Sequence, residues 1–144
     1  MGDNVMLKVA LKSFVKKAIE FIVEDKIAES LAIEFYNYIT DYQRLLLEAM
    51  YNLAKRGVKP TRLQVIEEMN RLIEARKMKL KKVNQRMLNG IKGGLTKNAR
   101  RVKLKPPIIV KNGYYILRRE WFKALTKILE ENHATAYPQE VKAY

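Results

Sequence analysis

The residues of this chain that are best suited to chemistry are lysines and arginines concentrated in one stretch. From Ala75 to Arg119 the sequence contains fifteen of them and no aspartate or glutamate. Outside this stretch fourteen basic and fifteen acidic residues nearly cancel, so the formal charge of +14 arises within it. An ordinary charged run forms a solvated face. Here the basic residues have no acid among them, and their like charges repel one another in a compact domain. The stretch predicts a polyanionic partner, and nucleic acid is the commonest one.

Residues for catalysis are scarce by comparison. The chain has one histidine, His133, two serines and no cysteine, so one chain cannot assemble a Ser-His-Asp triad or a histidine or cysteine metal site. The acids nearest the basic stretch, Glu67, Glu68 and Glu74, are spaced as outward-facing residues of a helix. We expect no enzymatic activity, no metal and no cofactor.

Composition bounds the class of protein. A chain of 144 residues with 48% hydrophobic residues suits one domain with a real core. The first helical segment is interrupted by Lys8, Lys12 and Lys16, so it predicts neither a signal peptide nor a membrane span. We expect a cytoplasmic, nucleoid-associated protein or a virion component. The high charge without cysteine also suits a thermophile, and an archaeal or archaeal-virus source.

Two helical regions precede the basic stretch. The first, Asn4–Asp25, has apolar residues at spacings of three and four and an apolar face wider than one stripe. It is expected either to pack on its own domain or to pair with the same helix of a second subunit. The second, Ala28–Arg56, is expected to bend near Thr40–Asp41 and to end at Gly57. Four tyrosines in it could stack on bases, but their helical spacing among leucines favours core and interface positions. They are Tyr36, Tyr38, Tyr42 and Tyr51.

The next helix has a clear start and an ambiguous end. Pro60 disfavours helix before it, and Thr61 with Gln64 forms a capping-box pattern, so a helix is predicted from Arg62. The stretch from Thr61 to Asn89 contains no glycine and no proline. The chain is therefore either one helix of about thirty residues or two helices separated by a turn within Glu74–Lys79.

In the rest of the chain, glycines and an Asn-Gly pair give the clearest signals for helix ends and turns. Gly90, Gly93 and Gly94 predict the end of the helical pattern, and Leu95–Lys105 alternates as an exposed basic strand would. Asn112-Gly113 between two runs of β-branched and aromatic residues predicts a hairpin over Ile108–Leu117. A last helix is expected over Glu120–Asn132, followed by a loose tail.

The order of elements resembles the winged helix-turn-helix family of DNA-binding domains, over about residues 43–120. The resemblance rests on four segments, Leu45–Gly57 as first helix, Thr61–Ile73 as second, Lys79–Lys92 as recognition helix and Val102–Leu117 as wing. It implies a mainly α fold with a small β-hairpin, in which residues 43–132 form a winged helix with a C-terminal helix. Residues 1–42 would be an N-terminal helical extension for dimerisation or packing, and residues 133–144 a tail.

The resemblance also implies which residues would contact DNA. The third helix would enter the major groove, where lysine and arginine suit phosphates and guanine, while asparagine and glutamine suit adenine. The hairpin tip would reach a second groove. The DNA-binding residues would then be Lys79, Lys81, Lys82, Asn84, Gln85, Arg86, Asn89, Lys92, Lys97, Arg100, Arg101, Lys103, Lys105, Lys111 and Asn112.

Duplex DNA is the expected partner, bound by a homodimer or higher oligomer that regulates transcription or organises a genome. One alternative is a structural nucleoprotein, a virus coat or chromatin-like protein that packages DNA by assembly. Another is a helical protein that binds an acidic protein such as RNA polymerase. RNA is a less favoured ligand, because the aromatic sheet signature of common RNA modules is missing.

Overall fold

The computed structural model describes residues 29–131, which are mainly helical with one two-stranded antiparallel sheet. The first described element is a helix, α1, at residues 29–36. It continues through α2 (Asp41–Lys55), α3 (Arg62–Ala75) and α4 (Gln85–Arg101). Strands β1 (Ile108–Lys111) and β2 (Tyr114–Leu117) follow, and α5 (Arg119–Thr126) runs directly into a π-helical turn at Lys127–Glu131. The helix expected over Asn4–Asp25 and the tail after His133 lie outside the described residues.

Helix α2 is the centre of the core. Seven apolar residues between Leu45 and Leu53 are buried on several sides of it, and α3, α4, α5 and β2 all pack against it. The predicted bend before it is confirmed, because α1 stops at residue 36 and Thr40 caps α2 with Gln43 in a capping box. The capping box predicted for Thr61 and Gln64 is also confirmed. Both caps satisfy backbone N–H groups that the first helical turn leaves without partners.

Helix α1 belongs to the same core as the rest. Ala32 and Phe35 of α1, and Ile39 in the turn after it, are buried in the core. The Phe35 ring meets Trp121 of α5 edge to face, with ring centroids 5.8 Å apart. Arg44 donates hydrogen bonds to the carbonyls of Ile39 and Tyr36 and so fixes the angle between α1 and α2. Of the four tyrosines, Tyr51 is buried while Tyr38 is exposed.

The chain from 61 to 89 forms two helices and not one. Helix α3 ends at Ala75, and residues 76–84 form the connection to α4. Lys77 adopts a positive φ of 50° just after the helix end. The amide N–H of Met78 donates to the Ile73 carbonyl at 3.0 Å. This is the Schellman pattern, which ends a helix by closing a 6→1 hydrogen bond.

The predicted helix end at Gly90, Gly93 and Gly94 is wrong, because all three lie inside α4. The strand expected over Leu95–Lys105 is wrong for the same reason, since the helix continues to Arg101. Each mid-helix glycine costs about 1 kcal/mol relative to alanine. Burial of Leu88 and Leu95 on the core side of α4 outweighs that cost.

The hairpin is confirmed in full. Ile108 pairs with Leu117 and Lys111 with Tyr114, and the turn residues Asn112 and Gly113 have φ values of 54° and 79°. A type I′ turn requires both to be positive. On its other side β2 is joined to the chain before α3, where the Tyr115 N–H donates to the Pro60 carbonyl at 2.8 Å and Tyr114 forms a bridge with Thr61.

Candidate nucleic-acid interface

Helix α4 has two opposite sides. Leu88, Leu95 and Ala99 are buried against the core. At 100° per residue the opposite side carries exposed residues at spacings of three and four. We call these residues the outer face of α4. They are Arg86, Asn89, Gly90, Gly93, Lys97 and Arg100.

The predicted recognition helix of Lys79–Lys92 needs new bounds. Residues 79–84 belong to the connection before the helix, and the helix begins at Gln85 and extends nine residues past Lys92 to Arg101. Asn84 is the N-cap, where its side-chain oxygen accepts a hydrogen bond from the Met87 N–H at 2.8 Å. Its short polar side chain competes with continuing the helix towards α3.

The connection between α3 and α4 is held in place at three points. Val83 is only 4% exposed, and its backbone makes hydrogen bonds to the Asn70 side chain. The hydroxyl of Tyr42 donates to the Lys81 carbonyl at 2.9 Å, and Met78 and Leu80 pack against the core. The side chains of Lys79, Lys81 and Lys82 are therefore exposed on a fixed backbone.

A buried amide joins α4 to α2. Gln43 is 6% exposed, and its Oε1 accepts from Asn98 Nδ2 at 3.4 Å. A Cβ at Gly94 would come to 3.0 Å from Gln43 Nε2. Gly94 therefore has a packing reason that Gly90 and Gly93 lack, since a Cβ at either of those two meets nothing within 4 Å.

The hairpin tip lies at the end of the molecule where α4 begins. Thr61, which bridges to Tyr114, precedes Arg62. With the Gln85 amide oxygen turned towards α3, that oxygen accepts hydrogen bonds from Arg62 Nε at 3.3 Å and Nη2 at 2.9 Å. Lys111 and Asn112 at the tip are exposed. The base of the hairpin is tied by Arg118, whose Nε donates to the Pro106 carbonyl at 2.7 Å.

Most of the fifteen predicted residues lie on the surface. Lys92 is half-buried beside the outer face, and the other fourteen are exposed. Arg101 ends α4, and Lys103 and Lys105 follow it, so the basic residues line the whole helix and both its ends. Asn84, Gln85 and Asn112 serve the fold as cap, interhelical contact and turn residue. Arg86 and Asn89, in the first turns of α4, are exposed on the outer face and have no such structural role.

Lys103, like Lys77, has a left-handed backbone conformation that the sequence did not predict. Lys103 has a φ of 62° and follows the C-cap of α4, where the Leu104 N–H donates to the Ala99 carbonyl at 2.9 Å. Glycine is the usual residue at this position, since a side chain there is strained. A lysine at such a site gives no signal in the sequence.

Among the described residues the acids form their ion pairs outside this surface, although Glu34 lines a groove together with Arg101. The acids form ion pairs with bases outside the range from Lys77 to Lys111. These bases include Arg44, Lys55, Arg56, Arg71, Arg76 and Lys127. Glu68, expected to face outward, is instead 4% exposed. It accepts hydrogen bonds from Arg71 and Asn52, which with the charge of Arg56 lower its pKa to about 2 against the opposing effect of burial. The basic residues of the α4 region are therefore not neutralised by ion pairs among the described residues.

Comparison with protein-family models, with curated proteins and with solved structures found no match to this chain. Within residues 29–131 no helix is both long and apolar enough to cross a bilayer. Nor does that range contain a group of three or more side chains suited to holding a metal ion.

Proposed function

We propose that this protein binds duplex DNA as a winged helix-turn-helix domain, with the outer face of α4 in the major groove. One observation carries the proposal. Arg86, Lys97 and Arg100 lie on the side of α4 opposite its buried residues, without a described carboxylate to pair them. A helix is the right width for the major groove, and α4 at seventeen residues is about 25 Å long.

The arrangement of the other elements supports the same mode of binding. Helix α3, the fixed connection and α4 supply a helix-turn-helix, while the short pairing of Thr61 with β2 attaches the hairpin beside it. Lys111 at the tip would then contact a neighbouring stretch of backbone. Lysines 79, 81 and 82 before α4, and Lys103 and Lys105 after it, would contact phosphates on the two sides of the groove.

The chemistry favours phosphate binding over base reading. Asn89 and Arg86 are the side chains placed to contact base edges, whereas many more are suited to phosphates. We therefore propose a protein of modest sequence preference, with a role in regulation or in genome organisation. Its affinity should depend steeply on salt, with log Kd changing by about 0.9 per log unit of salt for each phosphate contacted.

The test is a titration against a labelled random duplex of about thirty base pairs, followed by fluorescence anisotropy at several salt concentrations. Replacing Lys97 or Arg100 by alanine should weaken binding and lower the salt slope by about 1 each, whereas Arg86→Ala should weaken binding and relax the sequence preference. Lys127→Ala removes one charge outside the basic stretch and serves as the matched control. If the chain does not bind at low salt, the proposal is wrong, and an acidic protein partner becomes the next candidate. Stronger binding to duplex RNA than to DNA would contradict the choice of ligand.

A further inference from the structure

An open apolar groove lies between α1 and the end of α4, away from the outer face. Its volume is about 410 Å³. One wall comes from α1 and the turn after it, and the other from the last turn of α4 and the loop that follows. The lining residues include Leu31, Glu34, Tyr38, Arg101 and Val102.

The groove is bordered by apolar side chains that the described part of the fold leaves uncovered. Tyr38 is 80% exposed, Val102 52% and Leu31 43%. Val102 is distant in sequence from Leu31 and Tyr38, and all three line one groove. Single exposed apolar residues are ordinary, but a contiguous group marks an interaction site.

The chain itself contains a segment that suits this groove. Asn4–Asp25 has a wide apolar face and a stripe of charged residues that includes Lys8, Lys12 and Lys16. Glu34 and Arg101 both line the groove, so it offers a carboxylate to the lysines and a guanidinium to Glu20 of that stripe. Three residues separate the end of the segment from residue 29, where the described chain begins.

The apolar spacing of this segment continues that of α1, which favours a helix that leads away from its own groove. Spacings of three and four run from Leu7 in one phase to the buried Ala32 and Phe35, interrupted by Asp25. A helix continuing α1 backwards to residue 4 would extend about 37 Å from residue 29. Its apolar face would then require a second chain to cover it.

We propose that the groove receives the Asn4–Asp25 segment of a second copy of this chain, so that two copies exchange their N-terminal segments. Reciprocal exchange covers both grooves and both segments. Doubling the contact in this way helps the interface reach the roughly 1,200–2,000 Å² typical of stable complexes. The groove contains none of the outer-face residues of α4, although Arg101 at its rim is one of the predicted DNA-binding residues. The proposal does not depend on nucleic-acid binding.

Because the chain has no cysteine, single cysteines can test the contact directly. Full-length Tyr38→Cys protein is mixed and equilibrated with full-length Phe14→Cys protein carrying a tag, then oxidised mildly. A disulfide between the tagged and untagged chains is expected. Lys16→Cys, on the charged stripe, is the matched partner and should form far less of it. No disulfide above that control overturns the proposal.

The double variant Phe14→Cys, Tyr38→Cys at high dilution separates the two possible origins of the segment. A covalent dimer supports exchange, whereas an internal disulfide in a monomer shows that each chain covers its own groove and overturns the proposal.

Light scattering on the full chain gives an independent test. We expect a dimer at micromolar concentration that Tyr38→Glu converts to a monomer, while Tyr114→Glu on the exposed side of the hairpin does not. Tyr38 is largely exposed, so circular dichroism should show a folded Tyr38→Glu variant. A wild-type monomer overturns the proposal, including one whose groove binds a small apolar dye. A dimer that survives Tyr38→Glu also overturns it.

Discussion

The side chain of Asn70 in α3 makes two hydrogen bonds to the backbone of Val83. Its Oδ1 accepts from the Val83 N–H at 2.6 Å, and its Nδ2 donates to the Val83 carbonyl at 3.0 Å. Val83 is the last residue before the cap of α4 and is buried. The Asn70 amide thus pairs with both backbone polar groups of Val83, which belongs to neither helix. These two hydrogen bonds fix where α4 starts. The position of Arg86 and Asn89 depends on it.

Asn70→Ala should lower the free energy of unfolding by about 1–3 kcal/mol, because it leaves two buried backbone groups without partners. Urea denaturation measures the loss, and amide hydrogen exchange at Val83 should accelerate. Asn70→Asp tests the geometry more finely, since a carboxylate still accepts from the Val83 N–H but cannot donate to the carbonyl. The matched control is Asn89→Ala on the outer face, which should reduce DNA affinity and leave stability nearly unchanged. Equal stabilities of Asn70→Ala and wild type would contradict this account.

Glu68 should make the protein acid-sensitive in a defined pH range. Its pKa is about 2 in the folded protein against an ordinary value of 4.5. The lowered pKa means that its contribution to stability is fully present above pH 4.5 and is lost as the pH falls towards 2. We expect about 2 kcal/mol, reduced from the full shift because its arginine partners are half exposed.

The measurement is urea denaturation of wild type and Glu68→Gln between pH 7 and pH 2.5. The glutamine variant should be less stable at pH 7, and the difference from wild type should shrink as the pH falls. Glu67→Gln, at the exposed neighbouring position, provides the control. A difference that stays constant with pH would mean that packing and not ionisation accounts for the effect of the substitution.

The features predicted correctly from the sequence were those with local signals. The capping box at Thr61 and the Asn112-Gly113 turn depend on a few adjacent residues, and the structure has both of them. The helix end at Gly57 is of the same kind, with a φ of 74°. Local hydrogen bonding and backbone sterics decide these features without help from the rest of the chain.

The errors came from glycines and lysines that exchange their usual roles. Gly90 and Gly93 lie within a helix, while Lys77 and Lys103 occupy the left-handed positions where helices end. Tertiary contacts decide both cases. Burial of Leu95 and Ala99 carries α4 through the glycines, and the buried backbone of Val83 stops the chain from continuing α3. Glu68 was misplaced outward because its partners Asn52 and Arg56 belong to another helix.

Lysine at a left-handed helix end costs stability, which gives a test that separates fold from function. Lys103→Gly should raise the free energy of unfolding by about 1 kcal/mol because glycine adopts the positive φ without strain. The same substitution should weaken DNA binding and reduce the salt slope by about 1, since a phosphate contact is lost. Thermal denaturation and anisotropy on one preparation measure both. Lys103→Ala is the control, which loses the charge and keeps the strain. A Lys103→Gly protein that is more stable and binds DNA as tightly as wild type would remove Lys103 from the interface.

Gly90 and Gly93 sit in the middle of the outer face with open space where a side chain would project. Gly93→Glu should therefore fold at least as stably as wild type, because glutamate is the better helix former. It should nevertheless reduce DNA affinity at least tenfold, since it places a carboxylate between Lys97 and Asn89 where a phosphate or base edge would approach. Asn37→Glu is the control, with an equal charge added at an exposed position after α1. Circular dichroism checks the fold and anisotropy the affinity. If Gly93→Glu and Asn37→Glu weaken binding equally, the effect is one of net charge, and the outer face of α4 is not where the DNA lies.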